Sequence, residues 1–398
     1  MITLTPDDLS LAKSLAQLKA ASGSHSPSIA TLRETLPALK IKIDACFLSN
    51  PYATDLFMQE LESKLIAQGG LRDALEFYPS QNAAIAQKLA KYLHIDSSHI
   101  FIGNGAIEVI QAVLHNFVQT NLVVPIPTFS SYYEFVRDGV EVLLYKLPKE
   151  QNYALDIEAY TKFIQDHNAK NALLINPNNP DGSYIPYNTL RECLAKLAHL
   201  DTIIIDESFL HFAYEDSSLE QISYTKLVEE FSNVVLIKSM SKDFGVAGLR
   251  AGYGVMAKNR VEALLHNGYL WNVNGLSEFF FSLFGDDEFL QKYERVRKSY
   301  ITQTQEFFKA LGQIDSIKTY PSKANFALVE LLNGAKAQDL CIKLLSSYGI
   351  YTRSCSDKIG LDGEFLRIAS RSEQENTQIL QSLQEIFKGD FQSAKGVR

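Results

Sequence analysis

Short apolar runs recur through the middle of this chain and alternate with stretches of helical pattern. The runs are Ile100–Ile102, Leu122–Val124, Ala172–Ile175, Thr202–Ile205 and Val234–Ile237. Runs this continuous are typical of strands that are buried on both faces, because a strand with one solvated face would alternate apolar and polar residues. Strands that alternate with helices favour an α/β fold, so we predict a mainly parallel sheet covered by helices.

The pattern changes near Asp286, where a long charged helical stretch begins and mixed β and α segments follow to the end. We therefore predict a large domain over residues 51–285 and a smaller α+β domain over residues 286–398. Near the start, leucines at near-helical spacing follow two aspartates and predict an amphipathic helix over residues 7–20. We expect residues 1–50 to form an N-terminal arm that packs with the smaller domain.

The composition argues against nucleic-acid and membrane partners. The chain has 398 residues, 46% of them hydrophobic, and a formal net charge of -8. Its lysines and arginines are scattered, so they form no basic footprint for nucleic acid or for a membrane surface. No apolar stretch reaches the length that a membrane span needs. We therefore expect a small-molecule partner.

The cysteines and the N-terminus bear on the compartment. Cys46, Cys193, Cys341 and Cys355 are far apart and lack the spacing of metal-binding motifs. Free thiols of this kind suit a reducing compartment. The first residues show no basic segment followed by an apolar run, which a secretory leader would need. We expect a cytoplasmic protein.

A glycine-rich turn follows the first apolar run. It spans Gly103–Glu108, with the sequence GNGAIE, and a helical pattern begins near Ala106. The backbone N–H groups in the first turn of a helix have no partner within the helix, so Gly105, Ala106 and Ile107 could hold an anion such as a phosphate. A plain strand-to-helix turn has the same composition, and this motif alone does not decide between the two.

Two further strand ends carry side chains that suit a heteroaromatic ligand. Phe129 follows the second run, where a ring could stack on a flat ligand and add about 1 kcal/mol. A phenylalanine of the core is the alternative. Asn179 lies in the loop Asn176–Gly182 after the third run and could aim its amide into the cleft at the carboxyl edge of the sheet. A plain turn explains the prolines and the glycine of this loop better than its repeated asparagines.

The last two runs lead to a carboxylate and an amine. Asp206 ends the fourth run; it could cap the following segment, or it could face a ring nitrogen and keep that nitrogen protonated. Lys242 follows the fifth run. Most lysines are surface charges, but Ser239, Ser241 and Arg250 stand near this one, and hydroxyls with a guanidinium bind a phosphate monoester well. An amine there could attach an aldehyde cofactor and then act as general base and acid.

Taken in order, these motifs resemble those of fold-type I pyridoxal-phosphate enzymes of the class I/II aminotransferase family. The resemblance covers nearly the whole chain. It rests on Asn50-Pro51-Tyr52, Gly103–Ala106, Pro127-Thr128-Phe129, Asn178–Gly182, Asp206-Glu207, Ser239–Lys242, Gly248-Leu249-Arg250 and Leu366-Arg367-Ile368. It implies a large domain with a mainly parallel seven-stranded sheet sandwiched by helices, and a smaller C-terminal α+β domain.

The resemblance implies a role for each candidate residue. Lys242 would hold pyridoxal phosphate covalently, and Asp206 would face the ring nitrogen. Asn179 would donate to the phenolate oxygen, and Phe129 would stack on the ring. The phosphate would be held by the residues Gly105, Ala106, Ile107, Ser239, Ser241 and Arg250.

Other implied roles concern the substrate and a second subunit. Tyr52 would reach the cofactor phosphate of a neighbouring subunit, which implies a homodimer with shared active sites. Arg367 would bind the α-carboxylate of the substrate, and Arg353, fourteen residues earlier, lies where relatives bind a distal phosphate. For both arginines a purely structural place on a strand is the alternative. Phe209 departs from the family pattern, since many relatives have a tyrosine there that donates to the phenolate oxygen.

Within the family, the likeness is greatest to histidinol-phosphate aminotransferases, threonine-phosphate decarboxylases and 2-aminoethylphosphonate transaminases. Our leading interpretation is a pyridoxal-phosphate-dependent aminotransferase for a small amino acid or amine, including one that bears phosphate or phosphonate. The alternative is a decarboxylase of the threonine-phosphate type, and the motif residues do not separate the two. A non-catalytic regulator would carry a basic DNA-binding domain, for which the first 50 residues are too few and too weakly basic.

Overall fold

The computed structural model describes residues 2–21, 25–269, 271–332 and 334–395. Its contacts divide the chain into two compact units. The large unit comprises Ser49–Asn179 and Ser183–Ile301, and the small unit comprises Met1–Leu48, Pro180–Gly182 and Thr302–Arg398. The sequence placed the boundary between residues 285 and 286, whereas the units change inside the helix Asp287–Leu311.

Fifteen α-helices lie within the described residues. They are α1 (Pro6–Ala21), α2 (Ile29–Thr35), α3 (Pro51–Glu60), α4 (Leu71–Glu76), α5 (Asn82–Leu93), α6 (Ala106–Phe117), α7 (Ser131–Glu134), α8 (Ile157–Asp166), α9 (Tyr187–Lys196), α10 (Thr225–Glu230), α11 (Lys258–His266), α12 (Gly275–Ser282), α13 (Asp287–Leu311), α14 (Ala337–Lys343) and α15 (Glu373–Lys395). The helix expected over residues 7–20 corresponds to α1. Among all the described residues, no helix is both long and apolar enough to cross a membrane.

Thirteen strands also lie within the described residues. They are β1 (Ile43–Asp44), β2 (Ile100–Asn104), β3 (Asn121–Ile126), β4 (Glu141–Lys146), β5 (Asn171–Ile175), β6 (Thr202–Asp206), β7 (Val234–Ser239), β8 (Ala251–Val255), β9 (Ile317–Thr319), β10 (Phe326–Leu331), β11 (Ile350–Tyr351), β12 (Arg353–Ser354) and β13 (Phe365–Ala369). Each of the five apolar runs lies on a strand of the large unit.

The large unit is built on a seven-stranded sheet with the order β2-β8-β7-β6-β5-β3-β4. Only β8 runs antiparallel to its neighbours. Successive residues of β6 face opposite sides: Ile203 and Ile205 pack in one apolar cluster and Ile204 in another. Because both faces are covered, every residue of this strand is buried, which is why its sequence does not alternate with polar residues.

The carboxyl ends of the parallel strands bring the candidate motifs to one edge of this sheet. In the register of β5, β6 and β7, Ile175 pairs with Asp206 and Asp206 pairs with Ile237. The loops that begin after these positions therefore start side by side. This is the edge at which open α/β sheets bind their ligands.

The small unit has a four-stranded antiparallel sheet with the order β12-β13-β10-β9 and a two-stranded parallel sheet of β1 and β11. Its core contains Ile43 and Ala45 from the N-terminal part of the chain together with Leu366, Ile368 and Ile379 from the C-terminal part. Residues 1–48 are thus part of the same compact unit as the C-terminal segment.

Candidate active site

Lys242 lies just beyond the end of β7 and is partly exposed. Hydrogen bonds from the start of α3 hold the backbone on either side of it. The Asn50 N–H donates to the Lys242 carbonyl at 2.8 Å, and the Ser49 hydroxyl donates to the Ser241 carbonyl at 3.1 Å. The Ser241 N–H donates to the Ser239 hydroxyl at 3.3 Å. These hydrogen bonds therefore fix the main chain on either side of Lys242.

The glycine-rich turn and Arg250 lie against each other. Gly105 has a φ of +79°, a backbone conformation that favours glycine, and a Cβ atom there would lie 2.5 Å from the Arg250 guanidinium. On β8, Gly252 pairs with Gly103 of β2 and with Ser239 of β7. The register thus places Ser239 close to the turn, two strands away from Gly103.

This arrangement passes a test of fit for a phosphate monoester. A guanidinium, the first N–H groups of α6 and serine hydroxyls are the donors that a dianion needs. No side chain caps the N-terminus of α6, and the glycine at its N-cap lets an anion approach the backbone. The residues present therefore fit the phosphate of the cofactor, as the resemblance implied.

Asp206 is buried at the end of β6 and has two donors fixed on its carboxylate. The Tyr132 hydroxyl donates to Oδ2 at 2.8 Å, and the Ser208 N–H donates to Oδ1 at 2.8 Å. Burial raises the pKa of Asp206, while its contacts with Ser208 and Tyr132 oppose that rise. A carboxylate held in this way suits a cationic partner, such as a protonated ring nitrogen.

Phe129 contacts Tyr132, the residue whose hydroxyl donates to Asp206. Its ring is partly exposed and meets the Tyr132 ring edge to face, with centroids 6.4 Å apart and an interplanar angle of 77°. Tyr132 was not among the residues nominated from the sequence. Tyr132 lies three residues after Phe129 and belongs to no recognisable sequence motif. Its hydroxyl reaches Asp206 only in the folded protein.

The asparagines of the loop after β5 have different hydrogen-bond partners. The Asn176 amide donates to the Ile185 carbonyl at 2.8 Å. The Asn178 amide donates to the Pro127 carbonyl at 3.0 Å and its oxygen accepts from the Thr128 hydroxyl at 2.9 Å. Asn176 and Asn178 thus fix the loop that presents Asn179, which is buried. Their structural roles explain much of the asparagine repetition in the sequence.

Tyr52 belongs to the large unit, at the start of α3. The Asn50 side chain caps this helix by accepting from the Tyr52 N–H, and Pro51 occupies the first helical turn. The Tyr52 ring is partly exposed and meets the ring of Tyr300 edge to face, with centroids 6.1 Å apart.

Arg353 and Arg367 lie on neighbouring strands of the small unit. They are directly paired in the register of β12 and β13. The Arg367 guanidinium donates to the Cys46 carbonyl at 2.8 Å and lies over the Phe326 ring at 5.5 Å. Arg353 is 7% exposed and donates to the Asp357 carboxylate at 2.8 Å. The small unit thus brings two guanidinium groups to one position of its sheet.

A cavity of about 430 Å³ in the small unit is lined in part by Arg353. Lys19 of α1 also lines it and pairs with Asp357 at 3.3 Å. Burial alone would raise the pKa of Asp357, but Arg353 and then Lys19 hold it below its usual value. Within the described residues, no group of three or more His, Cys, Asp or Glu side chains could hold a metal ion.

Comparison with known proteins identifies the family. A family model described as aminotransferase class I and II matches residues 51–383. This chain belongs to the class I and II aminotransferase family. Members of this family use pyridoxal phosphate, so the predicted family and cofactor are confirmed. The predicted fold class is confirmed as well, by the sheet and by the solved structures that resemble it.

Within the family, the chain is similar to decarboxylases over almost its whole length. It is 53% identical over 388 residues to the L-serine phosphate decarboxylase of Campylobacter jejuni, which covers 98% of this chain and 100% of that protein. It is 43% identical to the L-serine phosphate decarboxylase of Sulfurospirillum multivorans, over 97% of this chain and 98% of that protein. A solved structure of a decarboxylase from the same organism has 43% identity and a TM-score of 0.91, and covers 96% of this chain and 97% of that one.

These relatives overturn our leading interpretation from the sequence. We expected an aminotransferase, and that prediction is wrong, because the relatives that match the chain at 53% and 43% identity are decarboxylases. Histidinol-phosphate aminotransferases also resemble the chain, but the one from Methanococcus aeolicus is only 29% identical, over 78% of this chain and 82% of that protein. The alternative interpretation, a decarboxylase, is the one that the comparisons favour.

Proposed function

We propose that this protein is a pyridoxal-phosphate-dependent decarboxylase that removes the α-carboxylate of L-serine phosphate. The observation that carries the proposal is the 53% identity, over 98% of the chain, with a protein of that activity. The small unit adds chemical support. Its paired residues Arg353 and Arg367 offer two guanidinium groups, and the substrate has two anionic groups, a carboxylate and a phosphate.

The residues of the large unit suit this chemistry. When bound, pyridoxal phosphate withdraws electron density from the Cα atom of an amino acid. Asp206 would stabilise a protonated ring nitrogen, and the hydrogen bonds from Tyr132 and Ser208 hold its carboxylate in one orientation. Asn179 and Phe129 would orient the ring, and the turn at Gly105 would bind the phosphate with Arg250, Ser239 and Ser241.

Lys242 would supply the proton that completes the reaction. Loss of CO₂ leaves the electron pair of the broken carbon–carbon bond at Cα, and a proton must be added there to give the amine product. A lysine whose main chain is fixed by Asn50 and Ser49 can deliver that proton from one defined direction. The product would be ethanolamine phosphate.

Incubation of the purified protein with pyridoxal phosphate and L-serine phosphate should release CO₂ and ethanolamine phosphate in equal amounts. L-Serine should react far more slowly, because it lacks the group that the second arginine would bind. Product analysis by mass spectrometry and CO₂ capture measures both. Amino transfer to 2-oxo acids should stay negligible, and a main product that is an oxo acid would refute the proposal.

Replacement of Arg353 with alanine should raise KM for L-serine phosphate by tens-fold or more. Truncation of one partner in a buried, hydrogen-bonded charge pair costs about 2–5 kcal/mol. Slow turnover of unphosphorylated L-serine should change little. Lys336→Ala is the matched control, since Lys336 is an exposed cation of the same unit that pairs with Glu364. Equal losses for both substrates would mean that Arg353 is only structural.

We also propose a homodimer in which Tyr52 of one subunit completes the site of the other. The large unit has exposed apolar side chains at Leu75, Phe77, Tyr78 and Trp271, with exposures of 69%, 64%, 89% and 54%. Large exposed apolar groups of this kind are typical of surfaces that a partner covers. Light scattering at micromolar concentration tests the proposal, and a mass of 44.6 kDa, that of one chain, would contradict it.

We propose a cytoplasmic location on the basis of the cysteines. All four are free, and Cys46, Cys193 and Cys355 are buried. Free thiols fit a reducing compartment. Fractionation of cells that express the full-length chain tests this location.

A further inference from the structure

A buried ionic cluster lies directly beside Lys242. The next residue, Asp243, has no exposed surface, and neither has Lys238. The Asp243 Oδ2 atom is 2.6 Å from the Lys238 ammonium nitrogen and 2.5 Å from Nδ1 of His211. The proposed chemistry of Lys242, Asp206 and the phosphate-binding residues makes no use of this cluster.

Burial and the neighbouring residues indicate the protonation states of Asp243 and His211. Burial alone would raise the pKa of Asp243, but Lys238 and His211 lower it to about 2, so Asp243 is ionised at neutral pH. Burial and then Lys238 lower the pKa of His211 to about 4, so its ring is neutral. The Gln221 amide nitrogen lies 2.6 Å from the His211 Nε2 atom and can only donate. The His211 proton is therefore on Nδ1, which lies 2.5 Å from Asp243 Oδ2 and 3.1 Å from the Tyr293 hydroxyl oxygen.

The cluster joins the two chain segments that carry Asp206 and Lys242. Lys238 donates to the carbonyl of Glu207, the residue after Asp206, at 3.3 Å. His211 belongs to the turn that follows the same strand. Asp243 is covalently next to Lys242 and contacts both Lys238 and His211. One carboxylate thus connects the segment after β6 with the segment after β7.

The other side of the Lys242 segment is held by α3. Besides the bond from Asn50, the Thr54 hydroxyl donates to the Gly245 carbonyl at 2.8 Å. A Cβ atom at Gly245 would lie 2.3 Å from this hydroxyl, so the approach requires glycine. The segment around Lys242 therefore has fixed contacts to α3 on one side and, through Asp243, to the segment after β6 on the other.

Stability alone is a weak explanation for such a pair. Removing two charges from water costs several kcal/mol per ion, and their attraction offsets this cost only with good geometry. Apolar residues of similar size often serve stability as well. A buried pair between two segments that carry reactive groups is better explained by the geometry that it defines.

We propose that Asp243 is a positioning residue. Its carboxylate, held by Lys238 and His211, fixes the main chain of Lys242 relative to the segment that carries Asp206. This role concerns the geometry of the lysine that would carry the cofactor, and it is independent of which amino acid the enzyme accepts.

Two variants test this role. Asp243→Asn removes the charge but keeps the shape. The double variant Lys238→Met/Asp243→Asn removes both charges of the ion pair, so the net charge of the pair is unchanged. We expect both to bind pyridoxal phosphate with weaker visible circular dichroism per bound cofactor, because that signal depends on how the protein holds the ring. We also expect kcat to fall by about tenfold or more while KM changes less than about threefold.

Glu60→Gln is the matched control. Glu60 is a carboxylate of the same unit, 3% exposed, that pairs with Lys64 at 2.6 Å and with Lys292 at 3.1 Å. Its loss should lower the melting temperature and leave the dichroism of the cofactor and kcat unchanged.

The double variant decides between positioning and charge compensation. If the double variant kept the dichroism and the kcat of the parent protein, the proposal would be overturned. The charges of Asp243 and Lys238 would then serve only to compensate each other. The same holds if both Asp243 variants behave like Glu60→Gln and change only the melting temperature. The dichroism needs no substrate, so a failure of the proposed decarboxylation would leave this test intact.

Discussion

Replacement of Lys242 with alanine is expected to abolish covalent attachment of pyridoxal phosphate and to lower turnover by about 10²–10⁴-fold or more. The side chain has two tasks under the proposed function, since it binds the cofactor and then moves a proton at Cα. Alanine removes both, while the contacts that fix the main chain at this position involve only its backbone. The variant should therefore fold like the parent.

Borohydride reduction followed by digestion and mass spectrometry measures the attachment. In the parent protein the pyridoxyl group should be found on the peptide that contains Lys242. Lys258→Ala is a suitable control, because Lys258 is an exposed lysine of the same unit, 3.8 Å from Asp96. A pyridoxyl group on any other lysine would refute the assignment of the site.

The sheet of the large unit could be predicted because most of its strands are marked by short apolar runs in the sequence. A strand covered on both faces must be apolar throughout, and the runs at Ile203–Ile205 and Val234–Ile237 have this property residue by residue. The antiparallel strand β8 was harder to foresee. Its sequence contains Gly252 and Gly254, which admit close neighbours, and their reason appears only in the packing: a Cβ atom at Gly252 would lie 2.5 Å from the Ala106 nitrogen.

The candidate site likewise contains some residues that the sequence predicts and others that it does not. Residues that follow a strand, such as Asp206 and Lys242, could be nominated from the sequence because strand ends meet at one edge of a parallel sheet. Their supporting residues could not. Tyr132 is 74 positions from Asp206, and His211 is an isolated histidine with no motif around it. Contacts of this kind depend on the packing of distant segments.

The reaction type also lay outside the reach of the motifs. Amino transfer breaks the Cα–H bond and decarboxylation breaks the bond from Cα to the carboxylate, but both need the same lysine, the same carboxylate and the same phosphate-binding turn. What differs is the orientation of the substrate. Under the proposed function that orientation would depend on Arg353 and Arg367, whose roles the motifs leave open. Similarity over the whole chain carried this information where the motifs did not.

Replacement of Asp206 with asparagine should preserve cofactor binding but slow catalysis by about 10²–10³-fold. The phosphate-binding turn at Gly105 and the amine of Lys242 are untouched by this change. The amide also fits the site, because its oxygen can accept from the Ser208 N–H and its nitrogen can donate to the Tyr132 hydroxyl, which then turns its own proton away. What is lost is the negative charge that would keep the ring nitrogen protonated.

Tyr132→Phe separates this charge from the hydrogen bonds around it. The variant keeps the Asp206 carboxylate and removes only the 2.8 Å hydrogen bond to Oδ2. A hydrogen bond to a charged group contributes about 1.5–3 kcal/mol net, so the rate should fall by roughly tenfold to a hundredfold. Single-turnover rates and the absorbance of the bound cofactor distinguish binding from chemistry in both variants. A rate near that of the parent in Asp206→Asn would show that Asp206 has a structural role alone, because the shape and contacts of the site would then suffice without the charge.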